Sequence, residues 1–90
     1  MKRFTLLILG STLLTLASCS RPSNTVLLER GSYAMWQGRW SDAVSDLETA
    51  VDQHPGDWEA QYKLGQCYLE LGDPLTASNH LAIAESIQPF

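Results

Sequence analysis

Residues 64–77 read Leu64-Gly65-Gln66-Cys67-Tyr68-Leu69-Glu70-Leu71-Gly72-Asp73-Pro74-Leu75-Thr76-Ala77, and the fold of the chain is decided by that stretch. Ala60, Leu64, Cys67, Tyr68 and Leu71 recur at three- and four-residue steps, one face of a helix. Gly72 can take the left-handed conformation that closes a helix. Asp73 can cap the next one, and Pro74 is tolerated in its first turn because the missing N–H costs little there. A second apolar series follows, Ala77, Leu81, Ala84 and Ile87, before Pro89. Shifted by 34 residues, the same design appears again: Gly31 falls on Gly65, Gly38 on Gly72, Ala43 on Ala77, Leu47 on Leu81, Ala50 on Ala84 and Pro55 on Pro89. Six identities at one fixed period, all small, apolar or helix-ending, define an internal repeat of residues 24–57 and 58–90.

The first copy reads the same way. A helix over Thr25–Gln37 carries Leu27, Leu28, Ala34 and Met35 and ends at Gly38. Ser41 is the expected N-cap of the next helix, whose stripe is Ala43, Val44, Leu47, Ala50 and Val51. His54-Pro55-Gly56 breaks it, and Asp57 caps the third helix. Gly31 is expected to meet Ala43, and Gly65 to meet Ala77, where paired helices cross. The prediction is an all-α fold of four antiparallel helices in two helix-turn-helix repeats.

The period and these residues resemble the tetratricopeptide repeat. Leu64-Gly65, Tyr68, Gly72, Ala77, Leu81, Ala84 and Pro89 match its signature closely. The first copy is looser, with Arg30 where the family prefers Leu and Ala34 where it prefers Tyr. The resemblance implies protein–protein binding, with the first helix of each repeat lining a concave surface. Thr25, Leu28, Ser32, Met35 and Trp36, then Glu59, Tyr62, Gln66, Leu69 and Glu70, fall there. Leu28, Met35, Trp36, Tyr62 and Leu69 are the candidate contacts, since Met and aromatics on such a surface suit an extended or helical peptide. The alternative for Trp36 is packing against the preceding segment or a neighbouring helix. Some members grip a C-terminal carboxylate with Lys and Asn; Leu28 and Ser32 replace two of those positions, and Lys63 alone makes no clamp.

Solenoid repeats bury their faces against neighbours, and about three are normally needed. Two are present, and a domain of roughly 70 residues is marginal without support. Ile83 and Ile87 of the last helix stand where the second helix has Thr49 and Gln53. Leu75, Ile83, Ile87 and Phe90 are therefore expected to meet a second copy or another protein, the alternative being that Pro89 and Phe90 fold back over them.

Upstream, Lys2 and Arg3 precede a Leu-rich apolar stretch, Phe4–Ala17. It is shorter than the roughly 20 residues a bilayer-spanning helix needs and reads as a secretory signal over residues 1–18. Leu16-Ala17-Ser18-Cys19 resembles a bacterial lipobox. The resemblance implies a lipid on Cys19, and Ser20 after it implies the outer membrane, facing the periplasm. An ordinary cleaved signal with an incidental Cys19 is the alternative. Residues 19–24 then form a short polar tether, reaching about 17 Å over five residues.

Apart from Lys2 and Arg3, four cations face ten carboxylates, a balance of −6. That argues against a nucleic-acid binder, which needs a basic face. Cys67, on the apolar stripe, is expected to be buried, with an intermolecular disulfide as the alternative. His54 and His80 have no second ligand at helical spacing, so no metal site is expected. Asp42, Asp46 and Glu48 are spaced as a solvated face. No phosphate loop or nucleophile–base set is present, and no cofactor beyond the lipid on Cys19. The expectation is a lipid-anchored interaction module, not an enzyme, assisting assembly of an envelope complex such as a secretion or pilus system. A self-associating structural lipoprotein and a tethering subunit of an envelope enzyme are the other readings.

Overall fold

A computed structural model describes residues 21–88 as four helices: α1 Asn24–Trp36, α2 Trp40–Gln53, α3 Trp58–Glu70 and α4 Pro74–Ile87. The leader, Cys19, Pro89 and Phe90, and the expectations attached to them, lie outside the described residues. Helix α1 begins one residue earlier than the apolar pattern indicates, because Ser23 caps it by accepting from the Val26 amide at 3.3 Å. Asn24, expected in the tether, is thus its first helical residue. Asp57 and Asp73 cap α3 and α4 as expected, accepting from the amides of Ala60 and Thr76, each at 3.2 Å. The hydrogen bonds from Thr76 hold the Asp73 carboxyl below the usual carboxylate range.

Both hairpin turns are built alike. Gly38 and Gly72 have φ of 77° and 82°. The Gly38 amide donates to Met35 O and the Arg39 amide to Ala34 O, while Gly72 and Asp73 repeat the pattern on Leu69 and Tyr68. These paired bonds satisfy carbonyls that the helix end leaves open. They also restart the chain within two residues, which corrects the expected role of Ser41: α2 starts at Trp40, Arg39 stands in the cap position without a side-chain cap bond, and Ser41 is already helical. Arg39 instead donates to Asp42 in the first turn and to Gln37, both at 2.8 Å.

Helices α1 and α2 pack as one hairpin, α3 and α4 as another, and α2 packs on α3. Ala34, Ala43, Leu47, Leu64 and Cys67 form one core that runs across both hairpins, and Leu27, Ala50 and Ala60 form a second cluster beside it. Fully burying one such leucine stabilises the fold by about 1.5–3 kcal/mol. The glycines let the paired helices approach, but their facing residue differs from the expectation. A Cβ on Gly31 would lie 3.0 Å from Leu47 Cγ, and one on Gly65 would lie 2.7 Å from Leu81 Cγ. The leucine one turn beyond the expected alanine fills each notch, although Ala77 contributes its carbonyl oxygen at 3.2 Å from the same Cβ position on Gly65.

Candidate protein-interaction surfaces

Helix α3 buries Ala60, Leu64, Gly65 and Cys67. The 3.6-residue period therefore turns Glu59, Tyr62, Leu69 and Glu70 outward, and all four are exposed. On α1, Leu28 and Met35 are half-buried and pack against the core, which uses much of their apolar surface. Trp36 is 81% exposed, and its ring stacks on Tyr33 one turn earlier, with centroids 6.1 Å apart. Its aromatic neighbour is on its own helix. Tyr62 lies beside Trp58 at 6.5 Å. Lys63 is held by Glu59 at 3.7 Å.

On α4, Leu75 is 75% exposed, Ile83 42% and Ile87 38%. Their counterparts on α2 do not face the next hairpin. Ser41 and Thr49 are exposed, and Gln53 donates to Asn24 Oδ1 at 2.8 Å and to Pro22 O at 3.3 Å, holding the segment that leads into α1. The register of α2 that does meet the second hairpin is Trp40, Val44 and Val51, packed on the core that includes Leu64 and Cys67, together with Glu48. Its counterparts on α4 are Pro74, Ser78, Glu85 and Ala82, all exposed. The apolar residues of α4 thus lie off the stacking register.

A polar network between the hairpins escaped the sequence reading. Gln61, 3% exposed, donates through Nε2 to Pro55 O at 3.3 Å, and its Oε1 lies 2.8 Å from His80 Nδ1. The amide oxygen can only accept, so His80 carries its proton on Nδ1. The imidazole stacks on Tyr68, with centroids 5.6 Å apart and planes within 4°. Tyr68 donates its hydroxyl to Glu48 at 2.7 Å, and this bond with burial pushes its pKa up to about 12. The only sequence signal was that Gln61 replaces the Leu27 of the first copy, a polar residue at a core position.

Arg30 pairs with Asp46 through Nη2 at 2.7 Å and Nε at 3.3 Å. With Tyr33, Arg39 and Asp42 they line an open cleft of about 390 Å³ on the outer side of the first hairpin. These ion pairs are solvent-exposed and contribute little to stability. Cys67 is fully buried, and burial pushes its thiol up to about 11, so it is no nucleophile at neutral pH. Among the described residues there is no group of three potential metal ligands and no helix long and apolar enough to cross a membrane.

Two helical hairpins sharing one core, with side chains presented outward from their first helices, define a helical-repeat scaffold. The tetratricopeptide repeat profile matches residues 28–78, and the chain belongs to that family. It is similar to Superkiller complex protein 3 of Homo sapiens, 36% identical over 62 residues, and equally to that of Mus musculus. Those matches cover 69% of this chain but 4% of the relatives' length. No solved structure matches the chain. Repeats of this family serve as modules for binding other proteins.

Proposed function

We propose that the protein is a membrane-anchored interaction module, held by a lipid on Cys19 at the periplasmic side of a bacterial outer membrane, that assists assembly of an envelope complex such as a secretion or pilus system. The observation that carries the binding role is Trp36, 81% exposed on the outward side of α1. A large aromatic side chain left in water on a rigid helix is the type that anchors interfaces. Tyr62 and Leu69, exposed on α3, extend the candidate contact, while Leu28 and Met35 serve it only through their outer edges. The anchor is supported by the order of charge, apolar run and Leu-Ala-Ser-Cys box. Envelope assembly is inferred from analogy of fold, and the relatives are themselves named as components of a complex.

The exposed Leu75, Ile83 and Ile87 favour a second reading, self-association through α4. Photo-crosslinking in the native envelope, with the probe at Trp36 or at Ile83, separates the two. A product with a different protein from Trp36 is expected. A product of twice the chain's own mass from Ile83 alone would replace the first reading with the second, and no product at either site would remove both. For the anchor, Cys19→Ala is expected to move the protein from the membrane fraction to the soluble one; retention in the membrane would overturn the lipidation.

A further inference from the structure

Inside the chain, one hairpin docks on the other through a defined register. On α2 it is Trp40, Val44, Glu48 and Val51; on α3 it is Ala60, Leu64, Cys67 and Tyr68. The 34-residue repeat places the same two registers on the outer faces of the molecule. On α4 they become Pro74, Ser78, Ala82 and Glu85, and on α1 Val26, Arg30, Tyr33 and Ala34. Val26 is 41% and Tyr33 58% exposed, whereas their equivalents Ala60 and Cys67 are fully buried. Among the described residues both halves of the internal junction therefore exist a second time, with Val26, Arg30 and Tyr33 of α1 exposed and Ala34, 2% exposed, kept in the core.

The two outer halves are complementary at two pairs. Val51 and Leu64 line the same cleft at the internal junction; their equivalents are Glu85 and Arg30, so an apolar pair becomes an ion pair. Trp40 and Cys67 belong to the same core cluster, a large residue with a small one; their equivalents are Pro74 and Tyr33, the sizes exchanged. Tyr68 and Glu48 are hydrogen-bonded; Ala34, the equivalent of Tyr68, is buried in the core and takes no part in the outer face, where Ala82 stands in place of Glu48. Two departures on one face, at Arg30 and Tyr33, are thus answered on the other. Arg30 holds Asp46 through Nε and Nη2, which leaves Nη1 for a further carboxylate.

We propose that α4 of one copy docks on α1 of the next in the geometry by which α2 docks on α3, with Glu85 against Arg30 and Tyr33 over Pro74 and Ser78, the equivalents of the Trp40 and Val44 that pack on the Cys67 cluster. Such a contact joins two different patches, so it is heterologous and continues from copy to copy unless the rotation closes a ring. It uses neither Trp36 nor the Ile83 side of α4, and it stands whether or not Cys19 carries a lipid.

Sedimentation velocity of the full chain in a mild non-ionic detergent, over a concentration series, tests it. The expected result is species with more than one chain per micelle that grow with concentration. E85R and R30E should each weaken association by about tenfold or more, because like charges then face each other, and the E85R/R30E double variant should regain it. Because R30E also places a carboxylate beside Asp46, S78W gives a route that leaves Arg30 alone: it fills the space for Tyr33 from an exposed position and should abolish association while the circular-dichroism melt of the chain is unchanged. A single chain per micelle throughout, or association that E85R and S78W leave unaltered, would overturn the proposal.

Discussion

Tyr68 of the second hairpin donates its hydroxyl to Glu48 of the first at 2.7 Å, so an α3 side chain tightens the junction its own helix forms. Both partners border solvent, which lowers the worth of the bond: Tyr68→Phe should cost about 0.5–1.5 kcal/mol at neutral pH. In a double-mutant cycle with Glu48→Gln, the two losses should be less than additive. The pH dependence has a definite sign. The folded-state pKa of Tyr68, about 12, lies above its ordinary value of 10.0. The protonated phenol thus contributes stability that is fully present below pH 10 and is lost as pH rises through 12. Urea titrations between pH 8 and pH 12 should show that alkaline loss in the native chain and a smaller one in Y68F.

Gly65→Ala should destabilise more than Gly31→Ala, although alanine is the better helix former by about 1 kcal/mol. At Gly65 the new Cβ would sit 2.7 Å from Leu81 Cγ, with Ala77 O behind it at 3.2 Å. At Gly31 the closest atom is Leu47 Cγ at 3.0 Å. Overpacking of the first kind costs about 1–3 kcal/mol net of relaxation, while the second is partly offset by helix propensity. Thermal unfolding of both variants gives the order; a G65A melt at or above the native one would contradict the notch described for Leu81.

How much of this was legible in the sequence depends on what each feature requires. The four helices, the left-handed glycines and the Asp57 and Asp73 caps are local, set by residues within one turn, and the pattern carries them. Ser41 misled because a paired-bond turn at Gly38 restarts the helix at once, and a good capping residue placed two positions late has nothing left to cap. Leu47, rather than Ala43, faces Gly31 because the helix crossing sets which turn meets the notch, and sequence spacing does not contain a crossing angle. Comparing Thr49 and Gln53 with Ile83 and Ile87 located an exposed apolar strip, but the side of α2 that stacks is Trp40, Val44 and Val51, visible only once α3 is in place. The Gln61–His80–Tyr68 contacts join α3 to α4, and Gln61 ties them to the α2–α3 turn at Pro55, so no single window could display them.

Gly72 has nothing within 4 Å of the position a Cβ would take, and its φ is 82°. Gly72→Ala therefore isolates the backbone term, expected at about 1–2 kcal/mol. Gly72→Asn should lose less, since asparagine visits the left-handed region more readily. Chemical denaturation that finds the alanine variant as stable as the native chain would show that the turn relaxes to another conformation.

Gln61 tests the inter-hairpin network as a unit. It is almost fully buried, yet both ends of its amide are engaged, by Pro55 O and by His80. Gln61→Leu restores the residue type of the first copy, Leu27, and adds apolar surface, but it leaves the Pro55 carbonyl and the His80 Nδ1–H without their partner. Pro55 is exposed and His80 half-buried, so water takes up part of what the amide held and each lost bond costs about 0.5–1.5 kcal/mol, against the roughly 1.5–3 kcal/mol that burying a leucine side chain provides. Stability should therefore change little. The imidazole, however, loses the acceptor that fixes its tautomer. Nitrogen-15 spectra of His80 should show a single Nδ1–H tautomer in the native chain and a mixture in Q61L. An unchanged tautomer in Q61L would mean that stacking on Tyr68, and not the amide of Gln61, orients the ring.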